Sequence, residues 1–217
     1  MQFICPICDF QGEFVTFRGR LHARCPQCYA LERHRFQFTL ARDVFTSINS
    51  STKSMLHFAP EKALRTLFAQ MFSDYQTADL FQEDVDHKVD IQMLPFADES
   101  FDVVYASHVL EHIPDDAKAL SEIHRILRPA GIAILPVPIM GLKTIEYDAP
   151  DPLQDDHVRA PGIDYFDRYT IFSRVDVIDS YSVPEEYQPF VYLPENMISP
   201  FTVVNGCMKD FVPICYK

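Results

Sequence analysis

Apolar residues change their spacing along this chain, and each change marks an element. Leu31, Phe38, Ala41 and Phe45 recur at helical intervals over Tyr29 to Phe45. Asn49, Ser50, Ser51 and Thr52 then read as a linker. Met55 to Ala59 is a short apolar run that predicts a strand, and Leu64, Leu67, Phe68 and Met71 complete an i, i+3, i+4, i+7 stripe on the helix after it. Tyr75 to Leu80, Val89 to Gln92, Phe101 to Ala106 and Ile132 to Val137 predict four more strands; the unbroken run at Phe101 suits a strand covered on both faces. Asp115 predicts the cap of a helix that buries Leu120, Ile123 and Leu127. Arg125 and Arg128 suit the dipole of its last turns, and Pro129-Ala130-Gly131 stops it. Repeated strand-helix-strand order implies parallel pairing with right-handed crossovers, hence an α/β, doubly wound sheet. Val175 to Ile178 and Phe211 to Tyr216 predict a late pair of strands, fit for an antiparallel edge, and Pro184 to Pro200 between them predicts little regular structure.

Composition bounds this picture. With 217 residues, 47% apolar and 18 of them Phe, the chain can bury one ordinary core and a small appendage. The expected division is residues 1–53, a cysteine-bearing segment with its linking helix, and residues 54–217, the α/β domain. No apolar run reaches the roughly 18 to 20 residues of a membrane span, and Met1 to Cys8 lacks the regions of a signal peptide, so a cytoplasmic protein without a membrane partner is expected. Residues 1 to 54 carry seven Lys/Arg against four Asp/Glu, +3, which leaves -15 on the remainder. Most of this surface repels a polyanion, so a nucleic-acid contact would have to use the N-terminal segment.

Cys5-Pro-Ile-Cys8 and Cys25-Pro-Gln-Cys28 are two knuckles with sixteen residues between them. Tetrahedral zinc takes four soft ligands, and each knuckle turns two thiolates toward one point. Cys5, Cys8, Cys25 and Cys28 are therefore the expected ligands of a structural zinc ion; four free thiols in an apolar cluster are the alternative. Arg18, Arg20, Arg24, Arg33, His34 and Arg35 surround this segment, either as a solvated or docking face or as a site for an anion. Cys207 and Cys215 lack knuckle spacing and read as buried thiols.

An open parallel sheet binds ligands beyond the carboxyl ends of its strands. The segment Met55-Leu-His-Phe-Ala-Pro-Glu61 ends the first such strand without a glycine, which argues against a pyrophosphate cofactor and for one lacking phosphates. Asp79, about twenty residues on, stands where a carboxylate usually holds both ribose hydroxyls. Asp90 at the next strand can accept from an exocyclic amine such as that of adenine.

The run Asp90-Ile-Gln-Met-Leu-Pro-Phe-Ala-Asp-Glu-Ser-Phe-Asp102, then Ser107-His-Val-Leu-Glu-His112, then Leu127-Arg-Pro-Ala-Gly131 resembles the core of class I S-adenosylmethionine-dependent methyltransferases of the small-molecule type. Two knuckles followed by Leu31-Glu-Arg-His34 and His57-Phe-Ala-Pro-Glu61 look like a bacterial subgroup with an N-terminal zinc ribbon. The resemblance spans most of residues 5 to 140, and more loosely Asp156-His-Val-Arg159. It implies a Rossmann-like sheet of seven strands, the last antiparallel, with S-adenosylmethionine across the ends of the first four. By position it gives the ribose to Asp79, the adenine to Asp90 with the Ile91 backbone, and the methionine portion and methyl group to Ser107 and His108. Where the family carries an acidic residue and glycines, this chain has His57, Ala59 and Glu61; Glu61 either pairs with the methionine amino group or is a favourable charge at a helix N-terminus.

Methyl transfer from a sulfonium needs a nucleophile held in line, and a base only where the acceptor must lose a proton. His108 and His157, with Asp156 as an orienting partner and His112 as a further candidate, are the expected catalytic residues. Each histidine alone has a packing or surface role as its alternative. The aromatics Tyr165, Phe166, Tyr169, Tyr187, Phe190 and Tyr192 either wall a pocket or pack in the core. A small polar molecule is the expected acceptor. RNA docked on the ribbon, or a non-catalytic cofactor-binding module, are the competing readings.

Overall fold

The computed structural model describes residues 1–193, 199–202 and 207–217. Two short antiparallel hairpins come first, β1 (Phe3–Ile4) with β2 (Gln11–Gly12) and β3 (Val15–Phe17) with β4 (Arg20–Arg24). The two knuckles that follow β1 and β4 are built alike. Cys5 N–H donates to Phe10 O and Asp9 N–H to Cys5 O, while Cys25 N–H donates to Ala30 O and Tyr29 N–H to Cys25 O. Asp9 and Tyr29, each just after a second cysteine, turn the chain with φ of 59° and 63°. Phe3 stacks on Phe14 beneath them at 5.3 Å, a core too small to hold such a segment unaided.

Helix α1 (Glu32–Ser47) leads through a 3-10 turn at Ser50–Thr52 to strand β5 (Ser54–Phe58), helix α2 (Lys62–Met71), β6 (Asp74–Asp79), β7 (His87–Lys88) and β8 (Phe101–Ala106). Helix α3 (Asp116–Ile126) follows, then β9 (Leu127–Ile134), a hairpin of β10 (Ile145–Asp151) and β11 (His157–Ala160), and β12 (Arg174–Asp179). The small pair β13 (Val191–Tyr192) and β14 (Cys207–Met208) precedes the final β15 (Phe211–Tyr216). Among the described residues the main sheet has seven strands in the order β12-β15-β9-β8-β5-β6-β7, parallel except that β15 runs antiparallel to β9 and β12. Period-two alternation feeds two cores. Leu56, Phe58, Val104 and Ala106 meet α3 through Leu120, Ile123 and Ile126, while Met55, Val103 and Tyr105 meet α1 and α2 through Phe36, Phe45, Leu64 and Phe68.

Three expectations shift. The strand expected at Val89 to Gln92 pairs two residues earlier, because the Asp90 carboxylate takes the Gln92 N–H at 2.8 Å and turns the chain. Pro129-Ala130-Gly131 does not separate helix from strand; α3 ends at Ile126 and β9 runs through it with an irregular register. Gly131 is required there by closeness, since a Cβ would lie 2.7 Å from Arg128 O. Arg125 does not serve a dipole alone: it donates to Leu94 O at 3.0 Å and Phe96 O at 2.7 Å, so it shapes the Leu94-Pro-Phe96 loop. Asp115 caps α3 as expected, accepting from Lys118 N–H at 2.9 Å. Of the Pro-rich stretch, residues 194–198 lie outside the described residues; the rest holds a 3-10 turn at Glu185–Tyr187 and β13.

Arg35 on α1 is fully buried and joins three parts of the chain. Its guanidinium donates to Ala23 O (3.0 Å) and Ala30 O (2.9 Å) in the ribbon, and to Tyr187 O (2.8 Å) and Gln188 O (2.9 Å) near the C-terminus. It also lies 4.3 Å from the Phe14 ring centroid. Burial pulls its pKa down to about 10, which leaves it charged at neutral pH. Arg35→Met keeps the stem but strands four carbonyls, so urea unfolding is expected to show a loss of roughly 4 kcal/mol; a loss below about 1 kcal/mol contradicts the role given to Arg35.

Candidate active site and metal centre

The knuckles bring four sulfurs together. Cys5 Sγ is 3.6 Å from Cys28 Sγ, Cys8 Sγ is 3.7 Å from Cys25 Sγ, and all four fall within 4.8 Å of one another. A tetrahedron with vertices about 2.3 Å from its centre has edges of about 3.8 Å, so the cluster fits a zinc ion. The sulfurs also compete for charge. A hydrogen bond from Cys28 pulls the Cys5 thiol down to about 5, and the same contact pushes Cys28 up. Four thiolates at this spacing need a cation.

A cavity of about 750 Å³ opens where β5, β6, β7 and β8 end. Ala59, Asp79, Asp90, Ile91 and His108 line it from the sheet, and Asp155, Asp156 and Val158 close it from the connection between β10 and β11. Asp79 folds its Oδ1 under the next turn, accepting from the N–H of Phe81 (2.6 Å) and Gln82 (2.8 Å), which points the carboxylate at the strand tip. Asp90 is held by Gln92, whose N–H and Nε2 reach Oδ1 at 2.8 and 3.0 Å. Leu80 and Phe81 add an apolar wall; Phe81 is 81% exposed, unusual for a Phe with no partner to cover.

The glycine missing from the first strand end has a conformational counterpart. Ala59 takes φ of 46° and donates its N–H to Ala78 O at 2.9 Å, which closes the turn. His108 (54°), Asp155 (53°) and Asp156 (62°) are also left-handed, so four non-glycine residues with this backbone line one cavity. Each costs about 1 kcal/mol or more, and such strain gathers at working sites.

Three expected cofactor residues stand off the cavity wall. His57 is fully buried, with Nδ1 2.8 Å from Tyr75 Oη and Nε2 3.3 Å from Glu61 Oε2. Glu61 is thereby committed to His57 and, at 4.0 Å, to His34; burial pushes its pKa up, but the hydrogen bond and charge of His57 outweigh that and bring it to about 2. The physical reason is packing: α1 covers this side of β5, so both side chains face the helix and not the cavity. Ser107 is buried and donates to Gln37 Oε1 at 2.9 Å beside Tyr105 Oη at 2.5 Å, and the Gln37 Nε2 is left without a hydrogen-bond acceptor.

His108 is shared by a second cavity of about 310 Å³. Arg18, Arg20 and Arg33 wall this one from the ribbon side, with Glu32, Met208 and Asp210. Arg20 is paired with Glu32 at 3.0 Å, whereas the buried Nε of Arg33 has no partner. Burial pushes the Asp210 carboxyl up. Beside His108 lies Glu111, fully buried; its Oε1 is 3.4 Å from His108 Nδ1, and neither of its oxygens accepts a hydrogen bond. His112 lines the larger cavity and meets His157 edge-on, with ring centroids 4.7 Å apart. His157 itself stands behind the wall with its Nδ1 unpartnered. The sequence offers Arg33 as one of the basic residues around the ribbon and Glu111 only inside Ser107-His-Val-Leu-Glu-His112, and gives no signal for Gln37 or Asp210.

Residues 68–135 match the family described as methyltransferase domain. The sterol 4-C-methyltransferase strm-1 of Caenorhabditis elegans is 44% identical over 59 residues, which is 27% of this chain and 17% of that protein. The chain thus spans about 17% of the length of the curated relatives it matches. A crystallised S-adenosylmethionine-dependent methyltransferase of Mesorhizobium loti superposes with a TM-score of 0.53 at 11% identity, covering 84% of this chain and 100% of that one. One from Archaeoglobus fulgidus gives 0.53 at 14% identity, covering 84% and 94%. The fold is therefore that of the Rossmann-like methyltransferases, with a four-cysteine cluster at its N-terminus. The matched segment holds β8, α3 and Ser107-His-Val-Leu-Glu-His112. No described helix is long and apolar enough to cross a membrane.

His34 generates a pH dependence. Burial, then the charges of Arg33, His108 and Arg35, pull its pKa down to about 3 against the opposing pull of Glu61, and its Nδ1 accepts the Leu31 N–H at 3.1 Å, which requires the neutral ring. The unfolded chain takes up this proton below about 6.5 and the folded one does not, so stability is lost as pH falls from about 6.5 toward 3. Between pH 7 and pH 5, with zinc in excess, the wild type is expected to lose about 2 kcal/mol that His34→Gln keeps; parallel denaturation curves for the two proteins at both pH values would exclude this.

Proposed function

We propose that the chain binds S-adenosylmethionine in the larger cavity and passes its methyl group to a small polar acceptor seated in the smaller one. The observation that carries this is His108, a strained residue at the tip of β8 that lines both cavities. An adenosyl cofactor matches the larger space: Asp79 takes the ribose hydroxyls, Asp90 and the Ile91 backbone take the adenine, and Leu80 and Phe81 cover the rings. Ser107, next to His108 in the chain, is held by Gln37 behind the cavity wall and touches the cofactor in no part of this reading. A volume near 310 Å³ suits a compact acceptor and not a folded RNA, and Arg33 offers it an unpaired donor.

S-adenosylmethionine supplies an electrophilic methyl group when bound. The chain's own residues hold the acceptor in line, exclude water and take a proton where the nucleophile carries one. His108 is the base in this reading, with Glu111 orienting its Nδ1 and Asp156 bounding the far wall. His157 acts from behind through His112. The Cys5, Cys8, Cys25 and Cys28 cluster holds a structural zinc ion, since four thiolates leave no position open for chemistry.

Calorimetry with S-adenosylhomocysteine tests the cofactor half. Asp79→Ala and Asp90→Ala are each expected to weaken binding roughly tenfold or more, while His108→Gln keeps the affinity within a few-fold and slows methyl transfer about a hundredfold. A wild-type protein that takes up no adenosyl compound sinks the reading. For the ribbon, one zinc per chain is expected by mass spectrometry, and Cys25→Ser with Cys28→Ser is expected to lose both that zinc and about 3 kcal/mol of stability; full zinc retention by this double variant excludes the ligand set.

A further inference from the structure

Glu111 poses a physical problem that the methyl-transfer reading does not solve. A carboxylate with no exposure and no hydrogen bond to either oxygen costs several kcal/mol unless a cation faces it. No Lys or Arg is paired with it among the described residues; the groups beside it are His108, His112 and His157. One ligand atom from each of Glu111, His112 and His157 falls within 4.8 Å of the other two, the spacing of donors around a single ion. The Nδ1 of His157 is a second buried atom without a partner at this point.

We infer that Glu111, His112 and His157 bind a divalent first-row transition-metal ion, separate from the ribbon zinc and set beside the methyl-transfer centre. Two imidazoles and one carboxylate suit zinc, cobalt, manganese or ferrous iron better than calcium or magnesium. The surrounding structure holds the donors in place before any ion arrives. Glu111 and His112 lie in the 3-10 turn Leu110–His112, and Arg159 clamps that turn by donating to Leu110 O at 2.8 Å, Ile113 O at 2.6 Å and Pro114 O at 3.0 Å. Arg159 is two residues after His157 on β11, so strand periodicity turns both side chains to the same side, toward the clamped turn. Arg159 is itself fixed by Glu146 at 3.0 Å. Supporting contacts of this kind orient metal ligands and raise affinity.

Three protein donors leave coordination positions for an oxygen donor reaching in from the larger cavity, which His112 lines and which the methyl-transfer reading gives to the cofactor. This last step rests on the methyl-transfer reading; the ion site does not.

The test uses the full chain, stripped with chelator and reloaded with one equivalent of zinc for the four cysteines. Titration with Co²⁺, followed by calorimetry and absorption, is expected to show one further equivalent binding in the low micromolar range or tighter. Its visible bands should lack the near-ultraviolet sulfur-to-cobalt transition that a cysteine site gives. Glu111→Gln and the double variant His112→Gln with His157→Gln are each expected to weaken this uptake at least a hundredfold while retaining the ribbon zinc, which reports that they are folded. A wild type that takes up no more Co²⁺ than the variants, or whose added Co²⁺ shows the sulfur band, overturns the inference. S-adenosylhomocysteine affinity, measured separately, reports on the cofactor reading, so either result can fail without the other.

Discussion

A buried guanidinium with no carboxylate partner sets the geometry of everything on the ribbon side of this protein. Arg35 is held by carbonyls from β4, from the second knuckle and from the turn at Tyr187 and Gln188, three segments distant in sequence. Carbonyl oxygens from three segments hold the planar fork in one orientation. The order of dependence follows from this. The sulfur cluster folds the knuckles, the knuckles present Ala23 and Ala30, and Arg35 locks them against α1. Arg33, two residues away on the same helix, and Arg20 on β4 then wall the smaller cavity. Without that lock the wall has no fixed position.

The larger cavity is set by a different constraint, the backbone at the strand tips. No glycine stands at the first tip, and Ala59 takes the conformation glycine favours. The strain is tolerated because the turn is tied down: Ala59 N–H is bonded to Ala78 O, and His108 N–H is bonded to Pro136 O. A β-carbon at Ala59 narrows the approach to the backbone, which suits a cofactor held by its sugar and base more than one held by phosphates.

How much of this could be read from the residues varies with the range of the interaction. Phe101–Ala106 was legible to the residue, since a strand covered on both faces is an unbroken apolar run, and so was the Asp115 cap, a local hydrogen bond. The antiparallel pair Arg174–Asp179 and Phe211–Tyr216 at one side of the sheet was also foreseen from the placement of two late strands. The Val89 strand was misplaced because Asp90 serves its own turn, and an Asx turn looks like a strand end until its hydrogen bond is seen. Asp79, Asp90, Ala59 and His108 come to one cavity as their positions at strand ends implied. His57 and Glu61 do not, because the helix that engages them lies earlier in the chain and nothing local says which face it covers. Left-handed alanine, histidine and aspartate were invisible for a simpler reason: glycine is the sequence signal for positive φ, and here it is absent.

The charge distribution links the ribbon to the sheet. The body of the chain carries the acidic excess, yet the residues that wall the smaller cavity from the ribbon side include three arginines. Glu32 neutralises one of them and Asp155 approaches another at 3.6 Å, so the unsatisfied donor that remains is on Arg33. The lining of the smaller cavity therefore combines one unpaired donor, on Arg33, with His108, which has Glu111 beside it. Such a lining can orient a polar molecule only while the ribbon is folded against α1. The four-cysteine cluster bears on the smaller cavity in this way, through the arginines that the folded ribbon positions.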